Sequence, residues 1–212
     1  MPQILEEVKQ ALTPEFLSEA AIQFSETEVG IAKTISSLSP TILLGLLEKC
    51  GDSHLIDGLF ESLRNFETTQ TRQTGISALS REAPNNATVQ FLGVLFGAKG
   101  PAITNAVAAF AGVKPSTVMG LLNYSGSLVM EIVHNKIKTE QLNPSSLVRY
   151  LLSERSNLMS VVPAGVGSLL GLYNVGNNEY SGGESTGLGK GWIWTLVLII
   201  ALGLGLVYFL KN

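Results

Sequence analysis

From Leu5 to Leu172 apolar residues recur at helical spacing almost without interruption. No strand-length alternation bounded by hairpin signals breaks that pattern, so the expected fold class is all-α. Local chemistry marks several helix starts. Thr13-Pro14-Glu15 predicts an N-cap, a first-turn proline and a first-turn acid. Ser25 with Glu28 fits a capping box, and Asn143-Pro144 repeats the cap-and-proline device before Leu147, Leu151 and Leu152. The stretch Phe66 to Pro84, rich in Thr, Gln and Ser, predicts a polar connector or a poorly packed helix.

The pattern changes at the far end. Trp192 to Leu210 holds nineteen residues without a charged side chain. A helix of that length rises about 28 Å, close to the ~30 Å hydrocarbon core of a bilayer. The expectation is a transmembrane helix over 192–210, anchored by Trp192, Trp194 and Tyr208 and flanked by Lys190 and Lys211. Those two lysines lie on opposite sides and do not decide its orientation. Residues 173–191 carry six glycines with Asn and Ser, the composition of a flexible linker. The body is then residues 1–172. Ala201-x-x-x-Gly205, with Gly203 between, is a small-xxx-small step that suits a helix–helix contact and a homodimer. Glycine is also common in membrane helices for no such reason.

An internal duplication emerges when residues 5–49 are laid on 91–135 with a shift of 86. Phe24 falls on Phe110, Ala20 on Ala106 and Ser39 on Ser125; Ile42, Leu43, Leu46 and Leu47 fall on Leu128, Val129, Ile132 and Val133. The expected body is a helical bundle of two duplicated units, each burying an apolar face against the other. Phe24 and Phe110 would then be core residues at equivalent places.

The segments FSETEVGIAKTISSLSPTILLGLLEK (Phe24 to Lys49) and LNPSSLVRYLLSERSNLMSVVPAGVGSLLGL (Leu142 to Leu172) resemble the bacterial YidB-like domain-of-unknown-function family, family nine hundred thirty-seven. The first is similar to its unit of small-residue helix, Ser-Pro break and Leu-rich helix. The second is similar to its closing cap, Leu-rich helix and Pro-Ala-Gly stop. The resemblance covers roughly residues 1–172 and implies a helical, bacterial, membrane-associated protein with no catalytic residues to carry over. Family members often continue past a transmembrane helix into an outer-membrane-protein-A-like domain. This sequence has none after its anchor, so no wall-binding role is implied.

Charge and cysteine content narrow the picture. The net charge of −3 argues against a general nucleic-acid binder, which needs a basic footprint. Cys50 is the only cysteine, so an intrachain disulfide is excluded and a reducing compartment is expected. MPQILEEVKQ places acids where a signal peptide carries positive charge, which leads to a single-pass protein of the bacterial inner membrane with a cytoplasmic body.

Candidate chemistry is sparse. Cys50, Asp52, His54 and Asp57 are the one cluster of metal-ligand types, but Gly51-Asp52-Ser53 predicts a helix stop and a new cap that would part Cys50 from His54. Gly183 to Lys190 departs from a phosphate-binding loop in spacing, in lacking Ser or Thr after the lysine, and in having no preceding strand. Glu6 and Glu7, and Arg149, Glu154 and Arg155, read as solvated helix faces. No catalytic, cofactor or metal residues are therefore assigned. The expectation is a non-catalytic interaction or scaffolding module whose partners are the lipid bilayer, an unidentified protein and a second copy, with no nucleic acid. The alternatives are an enzyme with its site between the two repeats and a helix-turn-helix-like nucleic-acid binder.

Overall fold

The computed structural model describes residues 3–67 and 85–172. Among these the regular structure is helical: α1 (Gln3–Ala11), α2 (Pro14–Phe24), α3 (Glu28–Lys49), α4 (Ser53–Arg64), α5 (Asn86–Phe96), a 3-10 turn at Gly97–Lys99, α6 (Gly100–Ala111), α7 (Pro115–Glu140), α8 (Pro144–Val161) and α9 (Ala164–Leu169).

The helix starts follow the local chemistry in part. The Thr13 side chain accepts the N–H of Phe16, and Pro14 opens α2. Asn143 and Ser146 form a reciprocal capping box at α8, each side chain accepting the other's backbone N–H. Asp52 caps α4 by accepting the N–H of His54 at 2.9 Å. The box expected at Ser25 and Glu28 is a correction: Thr27 is the cap of α3, accepting the N–H of Gly30 at 3.0 Å. Ser25 instead closes α2 in the left-handed region, at φ 52°.

Helices α3 and α7 form the centre. Helix α3 packs against α1, α2, α5, α6, α7 and α8, so it has almost no solvent side. Ile31, Ile35, Leu38, Ile42, Leu43, Leu44 and Leu46 are all fully buried, each contributing about 1.5–3 kcal/mol from removal of its side chain from water. Its buried hydroxyls turn back on the helix: Thr34 donates to Gly30, Ser37 to Lys33 and Thr41 to Ser37. The Ser-Pro pair expected to break this segment does not. Pro40 lies inside the continuous α3, buried, at the expense of one backbone hydrogen bond.

Helix α7 presents Val118, Leu121, Leu128, Val129, Ile132 and Val133 to the same core. Close approach of neighbouring helices needs bare backbone. A Cβ at Gly45 would stand 2.8 Å from the Phe96 ring, and one at Gly126 would stand 2.7 Å from Thr88 Cγ2. Phe16 stacks on Tyr124 with ring centroids 4.7 Å apart, joining α2 to α7. The side chains of Ser39 and Ser125 are buried and find no hydrogen-bond partner.

Neither of the two rings expected in the core is fully buried. Phe110 is 51% exposed, whereas Phe24 is half-buried with its ring against Gly120. Helix α6 is apolar on several sides, and it is packed through Ile103, Thr104, Val107, Ala108 and Ala111 rather than through Phe110.

Candidate functional site

Trp192, Trp194, Tyr208, Lys190 and Lys211, expected as anchor residues, and Ala201 and Gly205, expected as a helix contact, lie outside the described residues. The body has to be judged on its own surface and grooves.

The turn between α2 and α3 meets the start of α7. Glu26 Oε1 accepts the Lys114 backbone N–H at 2.9 Å and the Thr117 hydroxyl at 3.1 Å, while Lys114 Nζ stands 4.0 Å away. No side chain of α7's own N-terminal residue caps that helix, so Glu26 supplies the acceptor from 88 residues away. The Lys114 N–H holds its carboxyl below the usual carboxylate range against the opposing cost of desolvation, with the Thr117 hydroxyl and the Lys114 ammonium adding to it.

His134 is buried on α7, and its Nδ1–H donates to the Leu63 carbonyl at 2.9 Å. That carbonyl is in the last turn of α4, where it also accepts the Phe66 N–H at 3.4 Å. The histidine therefore fastens α4 to α7. Burial pushes the Cys50 thiol up to about 11, which leaves it unreactive at neutral pH. Cys50 ends α3 and is buried, while His54 is exposed at the start of α4. Tyr150 is pushed up to about 12, first by burial and then by Glu154, Glu7 and Glu140, with Lys136 Nζ 4.7 Å above its ring. These displaced groups sit on separate elements, and each has a packing or capping cause. Among the described residues no three His, Cys, Asp or Glu side chains gather as metal ligands would.

A groove of about 750 Å³ runs between α4 and α5, with Leu59, Phe66 and Phe91 along its base and His54, Glu61 and Gln90 among its polar groups. It joins one helix to its neighbour and does not bring together a nucleophile, a base and an oxyanion donor. Beyond it, two described stretches are long and apolar enough by composition to cross a bilayer. Glu28–Lys49 is 78% buried inside the body, so its apolarity is that of a core helix. In Asn86–Ala111, which runs through α5, the 3-10 turn and α6, 39% of the apolar window is buried.

The architecture defines a class, an α-helical bundle built around two long buried helices. The chain belongs to the family described as "Bacterial protein of unknown function (DUF937)", whose model matches residues 6–136, from α1 to within α7. It matches no curated protein and no solved structure.

Proposed function

We propose that the chain is a membrane-tethered, non-catalytic helical interaction module at the bacterial inner membrane, its body cytoplasmic and its single span at 192–210. The observation that carries this is the uncharged run Trp192–Leu210, set behind the glycine-rich residues 173–191. Its twelve Leu, Ile, Val and Phe residues favour insertion by about 4–7 kcal/mol in sum, an upper bound because the outer positions contribute less. Trp192, Trp194 and Tyr208 suit the two interfaces, with Lys190 and Lys211 beyond them. The Ala201–Gly205 step is the proposed contact for a second copy.

The test is the double substitution Ile199→Arg with Gly203→Arg, which costs about 5–7 kcal/mol at the centre of a span. The full chain should move to the soluble fraction. A variant that still pellets with membranes and resists alkaline extraction refutes the anchor. Digestion of the body by protease added outside spheroplasts refutes the orientation.

The same proposal includes the internal duplication. Shifted by 86, α1 falls on 89–97, α2 on 100–110 and α3 on 114–135, against α5 at 86–96, α6 at 100–111 and α7 at 115–140. Helix α1 packs on α3 as α5 packs on α7, and α2 packs on α3 as α6 packs on α7. The two unpartnered buried hydroxyls, Ser39 and Ser125, are also 86 residues apart. These correspondences support descent of both halves from one three-helix unit.

A further inference from the structure

We draw no further inference here: the strongest candidate, the groove between α4 and α5 with Leu59, Phe66 and Phe91 along its base, carries nothing because nothing in the structure shows what covers it.

Discussion

Glu26 caps a helix that begins at Lys114: its carboxylate accepts that residue's backbone N–H at 2.9 Å and joins the first turn of the chain's second half to the α2–α3 turn of its first. The capping atom comes from a turn distant in sequence, so the helix start and the packing of the two halves depend on one side chain. Its 11% exposed side chain also keeps the ammonium of Lys114 nearby.

Glu26→Gln should therefore lower the melting temperature at neutral pH. The carboxyl is held below its ordinary value in the folded chain, so its stabilisation is complete above the unfolded pKa and is lost as pH falls through the folded one. The difference between parent and Glu26→Gln should shrink as pH is lowered below about 4, near the unfolded glutamate value. Thermal melts across that range check it; a difference that persists unchanged in acid refutes the electrostatic account.

Phe16 and Phe110 should separate sharply on truncation. Phe16 is buried and stacked on Tyr124, so Phe16→Ala should cost about 3–5 kcal/mol. Phe110 is half in solvent, so Phe110→Ala should cost less than about 1 kcal/mol. Chemical denaturation of the two variants measures both, and equal losses would place Phe110 in the core after all.

Two glycines should respond to alanine with opposite sign. Gly126→Ala drives a methyl to 2.7 Å from Thr88 Cγ2, on a side chain tied at 2.8 Å to Ser127, and should cost about 1–3 kcal/mol. Gly93 is exposed inside α5 with open space around its would-be Cβ, so Gly93→Ala should stabilise by about 0.5–1 kcal/mol. Denaturation midpoints read both directly.

Ser39→Ala and Ser125→Ala should each raise stability, by about 1 kcal/mol, because each hydroxyl is buried without a partner. A loss at either site in the same denaturation assay would show that its hydroxyl has an acceptor.

Where local chemistry decides an outcome, the sequence was legible: Thr13, Asp52 and Asn143 cap the helices that they announce. Ser25 was the expected cap, but the hydroxyl that reaches the Gly30 N–H as α3 enters the core is that of Thr27. The family resemblance implied a break at Ser39-Pro40, yet tertiary enclosure of α3 outweighs the one helical hydrogen bond that the proline removes. Phe110 was misplaced for a different reason. The alignment that lays it on Phe24 matches positions and not packing, and on a helix apolar on several sides the neighbours decide which side is buried. The Glu26–Lys114 cap and the His134–Leu63 bond join residues 88 and 71 apart, beyond the reach of any local pattern.

The enclosure of α3 by six neighbours has a consequence for how the body comes apart. Arrays whose modules merely stack can melt one module at a time, since each loses only a border. Here each half wraps the other's central rod, and peeling either away would strip the remainder of its interior. The body should thus unfold in a single all-or-none step, with amides in the middle of α3 exchanging only through global opening.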